Sequence, residues 1–397
     1  MSTSITDDNN SQDESSTSAT IRWGIVGLGD VTQKKSGPPF WKCDGSELVA
    51  VMRRTPGKAE EFAQNVPGNN CVGYDNLEQM LQHPGLQAVY VCTRPGSHVE
   101  IGTQVAEAGK ACYIEKPAGR CAAETQELQD VFIQRGLPLY TAYISRAYER
   151  TQALRKLLHD GVIGDQITNI SYTLVGTGGA RDMDGASSLP WRLDAKQSGG
   201  GLIMDVGCHV VDRIDYLCGP LVNVKGSAEN RNSPNIPVED YVHLTAEIGP
   251  STLSSSSFEP AVGAKVECTW DFAPKADDPK DVLIFTGSKG TIHLAGMSPD
   301  GPIQVFDDNA NRLYQLTFET PEHTAQRMIQ AVTDDLRGLE RNEYLSRGEN
   351  AIRTSKVLDT VLSSYYGGRE IGYWNRMDFW PGLPSAAAPL SKKQRTV

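Results

Sequence analysis

Between Ile21 and Tyr143 short apolar runs alternate with amphipathic segments, and this alternation constrains the fold more than any other property of the 397 residues. The apolar runs are IRWGIVGLG, ELVAVMRR, QAVYVCTRP, ACYIEKP and PLYTAYI. Between them, TPGKAEEFAQNV, SHVEIGTQVAEAGK and AAETQELQDVFIQRG carry apolar residues at three- and four-residue spacing, with abundant Ala, Glu and Gln. A strand that is apolar along its whole length is buried on both faces, which is the property of a parallel sheet covered by helices. The pattern predicts a doubly wound α/β domain over residues 21–143.

Beyond residue 143 the rhythm breaks. RTQALRKLLHDGVIG reads as a helix with a Gly stop and QITNISYTLVG as a strand, a Gly/Asp/Ser-rich stretch covers 176–190, and GGGLIMDVGCHVVDRIDYLCG reads as a helix. LVNVKGSAEN, DYVHLTAEIG, AKVECTWDF, DVLIFTGSKGTIHLAG, IQVFDD and RLYQLTFET then follow as strands without helices between them. Consecutive strands joined by short turns predict an open, mostly antiparallel, half-exposed sheet. Two helices at about 322–341 and 350–366 close this second domain, assigned to 144–377. Residues 1–20 are expected to be a disordered tail and 378–397 a loose one.

Charge and cysteine usage exclude several classes of function. The 38 Lys and Arg against 49 Asp and Glu give −11, with no basic stripe for nucleic acid or a membrane surface. No run reaches the roughly 18 to 20 apolar residues that span a bilayer. The eight cysteines are scattered without a C-x-x-C pair, so neither a disulfide scaffold nor a metal site is expected. MSTSITDDNNSQDESSTSAT has no positive or apolar region of a secretory signal, and a cytoplasmic location is expected.

GIVGLGDVT places Gly27-Leu28-Gly29-Asp30-Val31 after the first strand. Gly27 and Gly29 match the first two glycines of the dinucleotide fingerprint, which permit a tight turn and a close approach of backbone N–H groups to a pyrophosphate. Thr32 stands where a third glycine is usual, so by itself the motif also suits a plain strand-to-helix turn. At the end of the second strand, where a carboxylate would hold the ribose of NAD(H), stand Arg53 and Arg54. Two guanidiniums there suit a 2′-phosphate, so NADP(H) is favoured over NAD(H). Glu115, Lys116 and Pro117 follow the fifth strand, at the sheet end where ligands of open α/β folds lie. Asp205 and His209, four residues apart, share one face of their predicted helix, and the three glycines before them would let backbone approach a ligand.

The Gly-x-Gly turn, CTRPGSH after the fourth strand, the Glu-Lys-Pro triplet and GGGLIMDVGCH, in that order, resemble the glucose-fructose oxidoreductase / inositol dehydrogenase / rhizopine-catabolism (Gfo/Idh/MocA) family of NAD(P)-dependent enzymes. The resemblance runs from about Ile21 to Gly372. It implies an N-terminal Rossmann domain and a C-terminal substrate domain whose open sheet also forms homo-oligomers. It implies that Lys116 approaches the reacting oxygen and the nicotinamide, and that Asp205 and His209 serve proton transfer and substrate binding. Thr93, Pro95 and His98 match the family's turn near the cofactor, with Arg94 as a variation; His98 can equally be read as a neighbour of a helix N-cap. Tyr143, Trp191 and Arg192 resemble substrate-lining residues, although Trp191 also suits a packing aromatic.

The expected reaction is hydride transfer between nicotinamide and a hydroxyl or carbonyl carbon of a small sugar-like or cyclic polyol substrate. His209, with an ordinary pKa near 6.5, would exchange the oxygen's proton, Lys116 would stabilise the alkoxide and share the proton, and Asp205 would orient substrate hydroxyls. The alternatives are a trans-dihydrodiol or aldose dehydrogenase, and a dinucleotide-binding sensor without turnover.

Overall fold

The computed structural model describes residues 20–176, 190–233, 236–250, 258–273, 276–339 and 342–369. Apart from residue 20, the two expected tails lie outside the described residues, as does most of the Gly/Asp/Ser-rich stretch.

The first sheet contains β1 (Ile21–Val26), β2 (Ser46–Met52), β3 (Val72–Tyr74), β4 (Ala88–Val91), β5 (Ala111–Ile114) and β6 (Leu139–Thr141). All are parallel, in the order β3-β2-β1-β4-β5-β6. Helices α1 (Pro39–Lys42), α2 (Lys58–Ala63), α3 (Leu77–Leu81), α4 (His98–Glu107) and α5 (Ala122–Gln134) connect the strands. Every residue of β4 and β5 is buried, the continuous apolar reading that two covered faces require. The strand order reverses between β1 and β4, and the crevice at that switch point is where such sheets bind ligands. Strand β3 was not anticipated, because three residues carry no measurable periodicity.

The chain continues through α6 (Glu149–His159), β7 (Ile167–Val175), α7 (Ala195–Ser198), α8 (Cys208–Cys218), β8 (Leu221–Glu229), β9 (Tyr241–Ile248) and β10 (Lys265–Asp271). Strands β11 (Lys280–Gly287), β12 (Gly290–Ala295), β13 (Ile303–Asp307) and β14 (Arg312–Leu316) follow, then α9 (Gln326–Leu336) and α10 (Gly348–Tyr366). Strands β7 to β14 form an eight-stranded sheet in the order β14-β13-β12-β11-β7-β10-β9-β8. All its pairings are antiparallel except β7–β10, whose partners are separated in sequence by α8 and two strands rather than a turn. In β9, Val242, Leu244, Ala246 and Ile248 face the core while Tyr241, His243, Thr245 and Glu247 face outward, the half-exposed alternation that the sequence predicts.

The two layers share helices. Met328, Ile329 and Val332 of α9 pack into the cluster of Trp23, Phe40 and Val51 beneath the first sheet. The C-terminal segment therefore returns to complete the N-terminal core. Helix α10 packs between α5 and β8. The helix over the eight-stranded sheet starts with a π-helical turn, Ile203–Gly207, and becomes regular at Cys208. Such wide turns occur often at functional sites.

Candidate active site

The glycine turn after β1 is built from the backbone outward. Gly27 has φ +99°, and a Cβ there would lie 2.4 Å from the Cys92 carbonyl oxygen, so only glycine fits. A Cβ on Gly29 would meet nothing within 4 Å, leaving its backbone facing open space as a phosphate cradle needs. Thr32 at the third-glycine position is fully buried and donates to the Gly27 carbonyl at 2.7 Å, locking the turn that a glycine would only have permitted. Leu28 is buried, whereas Asp30 is exposed and Val31 half-buried. Arg53 at the end of β2 donates to the Leu28 carbonyl at 2.7 Å, and Arg54 beside it is exposed. These residues fit a dinucleotide: a turn with open backbone at the switch point, and two guanidiniums at its rim.

His98 begins α4 and is fully buried. Its Nδ1 lies 2.9 Å from the Pro117 carbonyl and its Nε2 3.2 Å from the Thr93 carbonyl, so the ring ties the turn after β4 to the turn after β5. Burial pulls its pKa down to about 4, and the neutral ring donates to one carbonyl at a time. His98 thus shapes the cofactor-side turns and presents no open edge to a ligand. Ser97 donates to the Thr93 hydroxyl at 2.9 Å, and Pro95 is buried in the same turn. Glu115 accepts from the Tyr90 phenol at 2.5 Å, a brace with no signal in the sequence, and burial raises its pKa against the opposing pull of Lys116.

Lys116, from the turn after β5, meets the π-helical turn of the second layer. Its Nζ is 2.5 Å from Asp205 Oδ1 and 2.9 Å from the Asp205 carbonyl oxygen. The peptide between Lys116 and Pro117 is cis. The other carboxylate oxygen of Asp205 accepts from Arg192 Nε at 2.6 Å, and the Arg192 guanidinium stacks on the Trp191 ring at 4.4 Å. Burial alone would raise the pKa of Asp205, but Lys116 and then Arg192 outweigh it and hold the carboxyl below its usual range. Burial alone would likewise lower Lys116, and Asp205 outweighs it, so the ammonium is held above its usual value. Asp205 was expected to orient substrate hydroxyls; instead both its oxygens are engaged by cations, because the π-helical turn carries the carboxylate between Lys116 and Arg192.

His209 follows on the same helical face and remains half-buried. Burial, then the Lys116 charge, pushes its pKa well below the ordinary value. The expectation of a histidine titrating near neutrality therefore changes: the imidazole is neutral, and Lys116 is a fixed cation. Nδ1 of His209 is buried and has no partner among the described residues. Tyr143, expected to line the substrate at the end of β6, lies two residues beyond that strand. It is fully buried, edge-on to His209 with ring centroids 6.2 Å apart. It supports the imidazole from behind.

The three glycines before Asp205 are explained by packing, not by ligand approach. A Cβ on Gly199 would lie 2.5 Å from the Arg120 carbonyl oxygen and one on Gly201 2.4 Å from that of Glu239. Glu239, fully buried, also accepts from Gly201 N at 2.7 Å and from the Tyr366 phenol at 2.6 Å. Sequence reasoning missed this clamp, since its parts lie 38 and 127 residues apart. Beside the turn opens a cavity of about 410 Å³ lined by Leu174, Leu202, Val206, Phe272, Asp281 and Met297 among others. Among the described residues no cluster of three or more His, Cys, Asp or Glu is placed to hold a metal, and no helix is long and apolar enough to cross a membrane.

A family model described as an oxidoreductase family with an NAD-binding Rossmann fold matches residues 21–143, and the GFO/IDH/MocA C-terminal domain matches 151–293. Oxidoreductase P35 of Formosa agariphila is 27% identical over 347 residues, 87% of this chain and 99% of that protein. Trans-1,2-dihydrobenzene-1,2-diol dehydrogenase of Mus musculus is 32% identical over 218 residues, 53% of this chain and 60% of that one. The crystal structure of aldose-aldose oxidoreductase from Caulobacter crescentus, complexed with glycerol, superposes with a TM-score of 0.71 at 21% identity, covering 88% of this chain and 98% of that one, a likeness of fold.

Proposed function

The chain belongs to the GFO/IDH/MocA family of oxidoreductases with an NAD-binding Rossmann fold, and from that premise we propose that it is an NADP(H)-dependent enzyme acting on a hydroxyl or carbonyl carbon of a sugar-like or cyclic polyol substrate. The observation that carries the reading is the Lys116–Asp205 pair, a fixed ammonium at the carboxyl end of β5 with the neutral His209 on the adjoining helical turn.

When bound, the nicotinamide supplies or takes the hydride. The Gly27–Gly29 turn and the backbone from Asp30 to Val31 hold the pyrophosphate, and Arg53 with Arg54 holds the 2′-phosphate. Thr93, Pro95 and the Glu115–Lys116–Pro117 turn wall the nicotinamide end. Lys116 stabilises negative charge on the reacting oxygen, an electrostatic contribution that needs no proton from the lysine. Asp205 keeps that ammonium aimed. In the oxidation direction neutral His209 accepts the substrate hydroxyl proton, and in reduction it returns it. Trp191 and Arg192 border the substrate, and the outward face of the eight-stranded sheet serves a homo-oligomer. The test is loss or gain of NADPH absorbance with a panel of aldoses, keto-sugars, inositols and their oxidised forms; tight NADPH binding with no turnover on any of them would instead establish a sensor.

A second reading, an aromatic trans-dihydrodiol substrate, is favoured by the aliphatic and aromatic walls that Leu174, Leu202, Val206 and Phe272 give the adjoining cavity. A dihydrodiol in the same panel tests it.

A further inference from the structure

A run of hydrogen bonds joins the glycine turn to the reacting centre. It starts at a second π-helical turn, Thr32–Ser36, which continues directly from the open backbone of the Gly27–Val31 segment. Both ends of this turn are pinned. Buried Thr32 donates to the Gly27 carbonyl at 2.7 Å, and the Ser36 hydroxyl, 2% exposed, lies 3.4 Å from the Val31 carbonyl and 3.1 Å from the phenol oxygen of Tyr90 on β4. The same phenol lies 2.5 Å from Glu115 Oε1. Glu115 Oε2 accepts from the backbone N–H of Lys116 at 3.3 Å, the one acceptor that this N–H has among the described residues. Lys116 Nζ then reaches Asp205 at 2.5 Å.

Tyr90 is the stiff link in this run. It is fully buried, its ring stacked on Tyr113 at 5.1 Å and held against Phe40 at 5.1 Å, so it cannot swing aside. Burial, then Cys92, raises its pKa well above the ordinary value, so the phenol keeps its single proton and gives it to the carboxylate, the stronger acceptor. Burying a hydroxyl, a phenol and a carboxylate together is costly where an apolar set would pack as well. What they connect gives the cost a use, since packed, hydrogen-bonded side chains pass on a displacement that solvated ones would absorb.

We propose that Tyr90 and Ser36 are positioning residues that couple the glycine turn to Lys116, so that a dinucleotide pyrophosphate settling on the turn fixes Glu115 and, through it, the lysine. The inference rests on the dinucleotide reading above and adds how binding at the turn is felt at the ammonium. Neither residue reaches the reacting atoms; both act through Glu115.

The test uses the full chain with ¹⁵N-labelled lysine and, as probe, 2′-phospho-ADP-ribose, which carries the pyrophosphate and the 2′-phosphate without the nicotinamide. The Nζ resonance of Lys116 is identified by its loss in Lys116→Met. The expected result is a shift of that resonance as the wild type binds the probe, lost in Tyr90→Phe and reduced in Ser36→Ala, with the probe's Kd within about threefold of wild type in both variants. On whichever sugar or polyol turns over, Tyr90→Phe should lower kcat about tenfold, the loss of one hydrogen bond to a charged group, with KM little changed. In a Lys116→Met background the same replacement should cost nothing further. A brace for the first sheet alone predicts otherwise: a lower unfolding temperature in Tyr90→Phe, a Lys116 resonance that still answers the probe, and rate losses that add. A response that survives in Tyr90→Phe overturns the proposal. If Tyr90→Phe fails to fold, Ser36→Ala decides, and a full response there overturns it equally. A wild type that binds the probe without any change at Lys116 keeps the dinucleotide reading and discards the coupling, whereas a wild type that binds no probe discards both.

Discussion

Two acid–cation pairs seven residues apart on one helical segment show how similar chemistry divides between function and support. Asp205 pairs with Lys116 at the crevice, where the side chains keep 25% and 13% exposure; Asp212 pairs with Arg146 at 0% and 3%. Asp205 answers to two cations, Lys116 and Arg192, and its pKa falls; Asp212 answers mainly to one, and burial raises its pKa despite Arg146. A pair open to the crevice, with a spare cation and a neutral histidine beside it, can rearrange around a ligand. A sealed, bidentate pair cannot, and its removal is felt in folding.

The largest effect should come from the sealed pair. Asp212→Asn leaves the Arg146 guanidinium buried against a neutral amide, and stability should fall by about 3–5 kcal/mol, read by denaturant unfolding. Residual folded protein should keep its NADPH affinity. A loss under about 1 kcal/mol would erase the distinction between the two pairs.

Lys116→Met should do the opposite. Asp205 retains Arg192, so stability should shift by no more than about 1 kcal/mol, while turnover falls by about 10²–10³-fold with cofactor binding intact. Wild-type turnover would remove Lys116 from the chemistry. Unfolding as severe as that of Asp212→Asn would make Lys116–Asp205 a second structural pair.

How legible this division was in the sequence depended on the range of the interaction. The parallel sheet was readable because β4 and β5 are apolar throughout and β1 and β2 nearly so, and the half-exposed second sheet because DYVHLTAEIG alternates. Gly27 and Lys116 were readable because a turn or a strand end defines them locally. The helical segment carrying Asp205 was readable as apolar, but not the π-helical turn that aims the carboxylate at Lys116. Nothing local marks Asp212 as sealed or Asp205 as open, since their partners stand 66 and 89 residues away. The glycines at 199–201 were read as room for a ligand, when the room is taken by Arg120 and Glu239. His98 and Tyr143 were identified by position, but burial, which gives them supporting places, depends on the whole fold.

Arg53, half-buried, and Arg54, exposed, extend the comparison to the cofactor side, where neither guanidinium has a carboxylate partner among the described residues. Replacing them by Asp and Ala should weaken NADPH on the order of a hundredfold, the loss of two charge-assisted contacts, with NADH little changed. Equal losses for both cofactors, measured by fluorescence titration, would sink the 2′-phosphate assignment.

The smallest effect is the absence of a titration. His209 is depressed by burial and by the same Lys116 charge that Asp205 stabilises. A depressed pKa means the unfolded chain protonates this histidine as pH drops below about 6.5 while the folded chain does not, so its neutral state is kept at some cost in stability toward acid. The neutral imidazole is the form that accepts a proton in oxidation. The acid limb of the oxidation profile should therefore lie well below 6.5 and be absent between about pH 6 and 8. In Lys116→Met, whatever activity remains should show that limb moved toward higher pH, because the largest charge contribution to the depression is gone while burial remains. A wild-type limb at about 6.5, unmoved by Lys116→Met, would mean that the proton is exchanged by a group outside the field of the open pair.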